Sequence, residues 1–477
     1  MEYSFIKKID LKQGWIFTLL IIIICYSILN SITDPYLWYD EAGQFWISKG
    51  LNHYSDPLSS PKGVIDVLIN NRFYNLDPGG FSVLLHYWTL ISNNYIYLRM
   101  LPVLFFLGCG YYVYKIGYIT SKNKLFSLAL PLLLFFEPHI FNYLAELRGY
   151  SMEIFGTVCA IYYILNNKEY NTRFLIKLSI FLCIFCTSRY SFVIVSAAIS
   201  LYMIFKLWKT EAFFKKILYY STPLIIMVLA IYFFEMKFQN AQAAPIGYSG
   251  YIHDSLSLLY SPLSILFYLN ILFMILSSNK RTKFFQLTTI TNIISSTFFI
   301  LSVLNLYPWD VNKTISVSIL LLITVCINAF YFIQKRLSIK AIEYSILISI
   351  SCIALYYIVN DKLIRTNQFQ KIYWGLIQYQ INPTEKTFVD AHINPTLRHL
   401  YEYGTFINRK ESDNYPDNFV LQKGSIHSFS KKNRSTNITP EKSNCKYFLF
   451  YSTKINNELY KKVNNNYILY TNSNSNE

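Results

Sequence analysis

The chain has 477 residues, of which 53% are hydrophobic, 18% are aromatic and only 15% are charged. Because a soluble domain usually carries about 25% charged residues, this composition excludes an ordinary soluble enzyme and favours a membrane protein. The net charge of +16 does not indicate nucleic-acid binding, because the basic residues form short clusters between apolar runs and are not gathered on one face.

The first predicted element is a membrane-spanning helix. A basic start over residues 7–12 precedes the apolar run 15–32, which is long enough to cross a bilayer. No small-residue cleavage site follows the run, so we predict a retained span and not a removed signal peptide. The next segment, 34–97, is mixed polar and aromatic and too broken to span, which predicts a long loop.

Ten further apolar runs follow, and each is a candidate span. They are 98–118, 125–141, 150–166, 174–188, 190–206, 217–234, 256–276, 285–305, 314–333 and 342–360. Together with the first run they predict a polytopic α-helical membrane protein of about eleven transmembrane helices.

Basic clusters in alternate connections predict the orientation of these spans. The clusters are Lys122/Lys124, Lys168/Arg173, Lys206/Lys209/Lys215/Lys216, Lys280/Arg281/Lys283 and Lys335/Arg336/Lys340. By the positive-inside rule they face the cytoplasm, as does the N-terminus, and an odd span count places loop 34–97 and the C-terminus outside.

High Asn, Lys, Ile and Tyr usage is typical of an AT-rich bacterial genome, so we predict the bacterial cytoplasmic (inner) membrane.

The tail from residue 361 to residue 477 has a different composition, rich in Asn, Lys, Ser and Tyr. Strands are predicted at 387–393, 418–422, 446–451 and 467–470, and helices at 394–404 and 456–463. The pattern predicts a small extracytoplasmic α/β domain. The predicted domains are therefore 1–360 in the membrane, with external loop 34–97, and 361–477 outside it.

The external loop opens with an acidic pair, Asp40 and Glu41, at the start of a predicted helix. Adjacent helical residues point ~100° apart, so only one of the two can face a cleft. We choose Asp40, with Glu41 either supporting it or facing water. The alternative is that the pair only complements the positive helix end, an effect of ~0.3–1 kcal/mol. A divalent cation at the pair stays open, and no histidine shows metal-ligand spacing.

Further candidate residues lie in the same loop and at the mouth of a later span. Asp77 precedes a Pro-Gly-Gly turn, which it could simply cap, and His86 lies in the apolar stretch that follows. Glu146, Arg148 and Glu153 lie at or inside the end of a span, where ionisable groups are costly and by default indicate function. The alternative there is a Glu–Arg pair that holds two helix ends together.

The order of these motifs resembles that of the GT-C superfamily of polytopic glycosyltransferases. The branch most similar in motif order is that of the protein O-mannosyltransferases and the aminoarabinose transferase of lipid A. The likeness covers residues 1 to about 165. Besides the basic N-terminus and the first span, it rests on Asp40-Glu41-Ala42, Asp77-Pro78-Gly79-Gly80, Arg99-Met100-Leu101-Pro102 and Glu146-Leu147-Arg148-Gly149-Tyr150.

The resemblance implies an enzyme that takes a hexosyl or pentosyl unit from a polyprenyl-phosphate donor. The acceptor would be a lipid, a glycan or a protein at the outer membrane face, and the sugar configuration would invert. Asp40 would act as general base, assisted by Glu41. The implied substrate-binding residues are Asp77, His86, Glu146, Arg148, Arg189 and Lys313, of which the three basic ones would neutralise the leaving phosphate.

Two positions depart from the family pattern. Asp77-Pro78-Gly79 stands where relatives carry a His-Pro-Pro-like stretch, so that local contact differs. Lys313 stands in a turn where relatives often carry an Arg-Tyr pair before a late span. Because Lys lacks the bidentate fork of Arg, the phosphate contact there is in doubt.

Two other classes of polytopic protein compete with this interpretation. A transporter or flippase usually shows internal repeats, and no half-to-half similarity is visible in the sequence. An O-antigen polymerase or ligase, which also uses polyprenyl-linked sugars, usually places its large external loop late in the chain between spans. Here the long loop is early and the large external segment is terminal.

Overall fold

The computed structural model describes residues 11–33, 37–51, 60–167, 169–208, 210–239, 255–276, 282–311, 313–334 and 337–359, together with His399 and five short strands in the tail. The chain divides into two compact units. The first comprises residues 1–31, 102–234 and 247–365, and the second comprises residues 32–101, 235–246 and 366–477. Whether the tail from residue 361 is a domain of its own stays a prediction.

Helices make up almost all of the described chain before residue 360. In chain order they are α1 (Leu11–Ile32), α2 (Tyr39–Ser48), α3 (Val64–Tyr74), α4 (Gly80–Thr89), α5 (Tyr95–Ser121), α6 (Lys124–Ala129), α7 (Leu133–Phe136), α8 (Pro138–Asn142), α9 (Tyr150–Asn166), α10 (Thr172–Cys186), α11 (Tyr190–Leu207), α12 (Phe213–Ile231), α13 (Ser255–Tyr260), α14 (Pro262–Leu276), α15 (Lys283–Val303), α16 (Ile315–Ile333) and α17 (Ile339–Val359). A 3₁₀ turn, Leu130–Leu132, joins α6 to α7, and a π turn, Tyr232–Met236, follows α12.

Six helical stretches of the described chain are long and apolar enough to cross a membrane. They are Gly14–Ile32, Tyr95–Ser121, Tyr190–Leu207, Phe213–Gln239, Lys283–Val303 and Ile315–Ile333. Three shorter apolar stretches, Lys124–Phe136, Pro262–Leu276 and Ala341–Ile353, accompany them. The predicted helical, polytopic architecture is confirmed, whereas the count of eleven crossings stays a prediction.

Polar side chains at the helix starts explain where several of these helices begin. The side chains of Asn123, Asn171 and Thr282 accept hydrogen bonds from the first-turn amides of α6, α10 and α15, respectively. Asn and Thr are favoured at this position because their side-chain oxygen satisfies a backbone N–H that has no partner within the helix. The polar connections between the apolar runs therefore define the helix boundaries.

A buried ladder of polar side chains joins three helices of the first unit. Asn328 on α16 donates to Asn270 on α14 at 2.9 Å, and Asn270 donates to Asn292 on α15 at 2.9 Å. Thr291 and Thr324 hydrogen-bond each other between α15 and α16 at 2.9 Å. Between apolar helices, such bonds stabilise association because an unpaired polar group is costly in hydrocarbon.

Three short helices, α2, α3 and α4, lie entirely in the second unit. They have 10, 11 and 10 residues, which at ~1.5 Å per residue makes each about 15–17 Å long, well short of the bilayer core. The described part of loop 34–97 thus fits the prediction of a segment that does not span. Phe45 and Trp46 of α2 are buried, as are Phe81 and Leu85 of α4.

The tail contributes a mixed five-stranded sheet. Its strands are β1 (Thr387–Val389), β2 (Phe419–Leu421), β3 (Tyr447–Leu449), β4 (Tyr460–Lys462) and β5 (Leu469–Asn472), in the order β2-β1-β3-β5-β4. β1 lies parallel to β2 and β3, while β5 runs antiparallel to β3 and β4. Three of the predicted strands coincide with β1, β2 and β3, and the fourth overlaps β5.

The helix predicted at 456–463 is wrong over residues 460–462, which form β4. A short stretch with both apolar and charged residues fits the hydrophobic periodicity of an amphipathic helix and that of a strand equally well. Pairing with β5, in the register Tyr460↔Asn472, gives this stretch ladder hydrogen bonds that its local pattern does not reveal. Of the helix predicted at 394–404, His399 is helical and the other residues lie outside the described chain. The α/β character of the tail therefore stays a prediction.

Candidate active site

Asp40 lies in the first turn of α2 and is half-buried. The helix begins after Trp38, whose carbonyl accepts the first helical hydrogen bond, from the amide of Ala42 at 2.9 Å. An acidic side chain at this end is stabilised by the helix dipole. The structure thus places an ionisable carboxylate, accessible in part, at the helix start predicted from the sequence.

Glu41, the next residue, has a different environment. Its carboxylate is fully buried and accepts a hydrogen bond from the guanidinium of Arg99, with Oε2 3.0 Å from Nη2. The backbone N–H of Trp38 also donates to Oε2, at 3.3 Å. Glu41 therefore does not face water. The contacts favour the alternative in which Glu41 supports Asp40 by fixing the start of α2.

His399 of the tail lies beside this buried pair. Its ring meets the ring of Phe45 edge-on, with centroids 4.8 Å apart. Burial, assisted by the charge of Arg99, lowers the pKa of His399 to about 3, although a backbone contact at Asn93 and the charge of Glu41 act in the opposite direction. At neutral pH the imidazole is therefore uncharged.

The backbone carbonyl of Asp77 accepts hydrogen bonds from two side chains. One comes from Asn71 Nδ2 at 2.9 Å and another from Gln239 Nε2 at 3.3 Å. Gly79 occupies the N-cap position of α4, and no side chain caps that helix. The turn is also held by Asn71 of α3 and by Gln239, and a cap of this turn by the Asp77 carboxylate stays a prediction.

His86 is held at the far end of α2 from Asp40. Its Nδ1 lies 2.7 Å from the carbonyl of Ser48. A carbonyl only accepts, so Nδ1 carries the proton and donates it. Ser48 is eight residues beyond Asp40, which corresponds to about 12 Å along a helix, so the structure does not bring His86 and Asp40 together.

Glu146 and Arg148 form a loose pair in the first unit. Arg148 Nη1 lies 3.8 Å from Glu146 Oε1, and the two side chains are 20% and 8% exposed. The Arg148 guanidinium also lies 5.0 Å from the ring centroid of Tyr150, which stacks on Tyr143 at 4.0 Å. Arg148 is thus a partly exposed cation beside two stacked aromatic rings.

Arg189 forms a buried ion pair with Glu153. Its Nη1 lies 2.8 Å from Glu153 Oε2, and its guanidinium covers the Tyr150 ring at 3.9 Å. The other oxygen of Glu153 accepts a hydrogen bond from Ser316 at 2.8 Å. A Glu–Arg pair thus joins the first turn of α9 to the residue before α11, but its arginine is Arg189 and not Arg148, which the predicted alternative had considered. This pairing favours Arg148 over Arg189 as the phosphate contact.

Lys313 lies in the turn between α15 and α16 and is half-buried. Its carbonyl accepts a hydrogen bond from the Tyr307 hydroxyl at 3.2 Å. Nearby in sequence, the buried Trp309 donates through Nε1 to Ser264 at 2.9 Å. The turn that carries Lys313 is thus held by aromatic side chains.

The described residues around Asp40 include no cluster of three metal-binding side chains. Within the described ranges, no group of three or more His, Cys, Asp or Glu side chains could hold a metal ion. A divalent cation bound jointly by Asp40 and Glu41 does not fit, because the Glu41 carboxylate is held by Arg99.

Two residues of the second unit were not singled out from the sequence. Glu235 lies in the π turn after α12, and its Oε2 accepts a hydrogen bond from Asn71 Nδ2 at 3.1 Å. The available signal was an acidic residue near the end of an apolar run, which is costly unless it has a role. Nothing in the local pattern around Asn71 distinguishes it from the neighbouring asparagines.

No family model matches the sequence, and no curated protein matches it. Among solved structures, ArnT of Cupriavidus metallidurans in the apo state is similar, with a TM-score of 0.53 and 7% identity over 83% of this chain and 85% of that one. An Archaeoglobus fulgidus oligosaccharyltransferase with a tethered acceptor peptide gives a TM-score of 0.44 and 12% identity, over 81% and 63%. AglB of the same organism, in complex with an inhibitory peptide and a dolichol-phosphate, gives 0.41 and 10%, over 81% and 64%.

ArnT and the archaeal oligosaccharyltransferase are GT-C glycosyltransferases. The match to ArnT extends over most of both chains, and at 7% identity it is a likeness of fold. The motif order of residues 1 to about 165 had predicted the same resemblance. The resemblance of this chain to the GT-C superfamily is therefore confirmed in its fold.

Proposed function

We propose that this protein is a multi-pass membrane glycosyltransferase. It transfers a hexosyl or pentosyl unit from a polyprenyl-phosphate donor to a lipid, glycan or protein acceptor at the outer face of the cytoplasmic membrane. The observation that carries the proposal is the contrast between two adjacent acids in a chain with the fold of ArnT. Glu41 is buried against Arg99, whereas Asp40 is half-buried at the helix start.

Asp40 acts as the general base in this proposal. It accepts the proton of the acceptor hydroxyl while the hydroxyl oxygen attacks the anomeric carbon of the donor sugar. The bond from that carbon to the phosphate oxygen breaks, and polyprenyl phosphate leaves from the opposite side, so the configuration inverts. Proton transfer to a positioned base typically contributes about 10²–10⁴-fold to the rate.

Arg148 supplies positive charge for the leaving phosphate. Charge that develops on a leaving group is stabilised by a cation placed to receive it. Arg148 is 20% exposed, whereas Arg189 is 7% exposed and pairs with the buried Glu153. Arg189 then has a supporting role, since it covers the Tyr150 ring beside which Arg148 lies. Lys313 stays a candidate for a further phosphate contact.

The test uses full-length protein in proteoliposomes that contain radiolabelled polyprenyl-phosphate hexoses or pentoses, with bacterial membrane lipids, glycans and proteins as acceptors. Wild-type protein should move label from the donor to one acceptor class. Asp40→Asn should lower kcat by about 10²–10⁴-fold and still bind donor. Arg148→Gln should raise the KM for donor, because the phosphate loses its counter-charge.

The matched control is Asp66→Asn. Asp66 also lies in the first turn of a short helix, α3, and its side chain is 41% exposed and lies 3.9 Å from that of Lys62. It has no part in the proposed chemistry, so transfer should be unchanged. Full activity in Asp40→Asn would remove Asp40 from the role of base. Label that crosses the bilayer without leaving its lipid carrier would instead support a flippase.

A further inference from the structure

Glu235 occupies an unusual backbone position. It lies in a five-residue π turn, Tyr232–Met236, within the long apolar stretch Phe213–Gln239. Its neighbours Phe234 and Met236 are exposed, while Glu235 is half-buried. Single π turns inside helices occur frequently at functional sites, and an acidic residue in an apolar helix is costly unless its carboxylate has partners.

The partners of Glu235 lie on the turn between α3 and α4. Its carboxylate accepts a hydrogen bond from Asn71 Nδ2 at 3.1 Å, and the Gly79 backbone also hydrogen-bonds it. The fit is tight, because a Cβ at Gly79 would lie 2.9 Å from Glu235 Oε1. One turn later, Gln239 Nε2 donates to the carbonyls of Asn71 and Asp77 at 3.4 and 3.3 Å. Two side chains spaced i, i+4 therefore hold this turn.

A directed chain of hydrogen bonds continues from Asn71 to α2. Gln44 Nε2 donates to Ser82 Oγ at 2.6 Å, and Ser82 Oγ donates to Asn71 Oδ1 at 2.6 Å. Asn71 in turn donates to Glu235. A carboxylate only accepts, so it fixes the orientation of the Asn71 amide, because the flipped amide would turn its oxygen toward the negative charge. Glu235, together with the Asp77 carbonyl that accepts from the same Asn71 Nδ2 at 2.9 Å, thereby sets the direction of the bonds in the chain.

The chain ends on the helix that carries the proposed base. Gln44 is 6% exposed and follows Asp40 by four residues, and residues at this spacing share one face of a helix. We propose that Glu235 is a positioning residue that orients α2, and with it Asp40, through Asn71, Ser82 and Gln44. The inference rests on the proposed function, and it adds a residue that positions Asp40 although it lies far from Asp40 in the sequence.

The first test is kinetic and uses the transfer assay. Glu235→Ala should lower kcat by about 10- to 100-fold with little change in the KM for donor, because a misplaced base is costly to the chemical step. Glu235→Gln keeps an oxygen that accepts from Asn71 and should recover part of kcat. The control is Glu343→Ala, which removes a similar bond, Asn123 Nδ2 to Glu343 Oε1 at 3.2 Å, in the first unit and should leave kcat unchanged.

The second test needs no activity. Amide hydrogen exchange of α2 should speed up in Glu235→Ala and in Ser82→Ala. The double variant should exchange about as fast as either single one, because both substitutions break the same chain. Glu343→Ala should exchange like wild type. Unchanged α2 exchange in Glu235→Ala overturns the positioning role whether or not the protein transfers sugar.

The two tests together separate this inference from the proposed function. Normal kcat in Glu235→Ala, with transfer lost in Asp40→Asn, would overturn the positioning role and leave the base in place. Absence of transfer by wild-type protein from every donor would defeat the proposed function, and faster α2 exchange in Glu235→Ala would still support the hydrogen-bond chain.

Discussion

At the scale of single residues, charged side chains that are neighbours in the sequence differ in how deeply they are buried. Glu41 is fully buried against Arg99, and Glu153 against Arg189, whereas Asp40 stays half-buried. Breaking a buried pair from one side typically costs ~3–5 kcal/mol, because an uncompensated charge is left in the interior. The buried pairs therefore maintain the structure, and the half-buried Asp40 is the acid that we propose for catalysis.

His399 gives a prediction for the pH dependence of stability. In the unfolded chain its pKa is about 6.5, whereas burial lowers it to about 3 in the folded protein. Between these values the unfolded state binds more protons, so stability is fully present above the unfolded pKa and falls as the pH decreases. Acidification from about pH 7.5 to about pH 5.5 should therefore lower Tm.

The variant His399→Phe isolates this effect. Phenylalanine keeps an aromatic ring opposite Phe45, which the His399 ring meets edge-on, and it does not titrate. Thermal unfolding of the full chain at both pH values should show a smaller loss of Tm in the variant than in wild type. An equal loss in both proteins would assign the pH dependence to other groups.

At the scale of elements, the apolar helix α14 turns a polar residue inward and an apolar residue outward. In α14, Asn270 is buried while Ile275 is 72% exposed. Such a reversed pattern is unfavourable in water, but it suits helices whose outer face meets lipid and whose polar groups bond one another.

The Asn270 ladder allows a direct test of this arrangement. Asn270→Leu leaves Asn292 and Asn328 without their shared partner, and it should lower the free energy of unfolding by about 1 kcal/mol, the usual scale of such bonds in membrane proteins. The control is Thr289→Val, since the Thr289 hydroxyl bonds the carbonyl of Phe285 within its own helix. Unfolding in mixed micelles would compare the two, and equal stability would argue against the ladder.

At the scale of the whole molecule, the orientation predicted from the basic clusters can be tested independently of activity. Reporters that are active only outside the cytoplasm should be active when fused after residue 60 and after residue 370. A fusion after Lys124, within a basic cluster, should be inactive. Activity at Lys124, or none at residue 60, would reverse the predicted topology and remove Asp40 from the outer face.

The fold was largely predictable because it depends on local patterns. Most of the predicted apolar runs became helices, although the run 125–141 is interrupted at Glu137. The acidic opening of loop 34–97 became the first turn of α2. The strands β1, β2 and β3 lie within predicted ones. The order of motifs was sufficient to predict the resemblance to GT-C proteins, which the likeness to ArnT confirms.

The site depended on tertiary contacts, because its partners are distant in sequence. Arg99 pairs with Glu41 across 58 residues, and Asn71 bonds Glu235 across 164. The helical period indicates that the side chains of two adjacent acids point in different directions. It does not indicate which of the two forms an ion pair with an arginine. The local pattern was therefore sufficient to predict that Asp40 and Glu41 open a helix. That Glu41 is buried while Asp40 is half-buried depends on residues such as Arg99, which pack against α2 from distant parts of the chain.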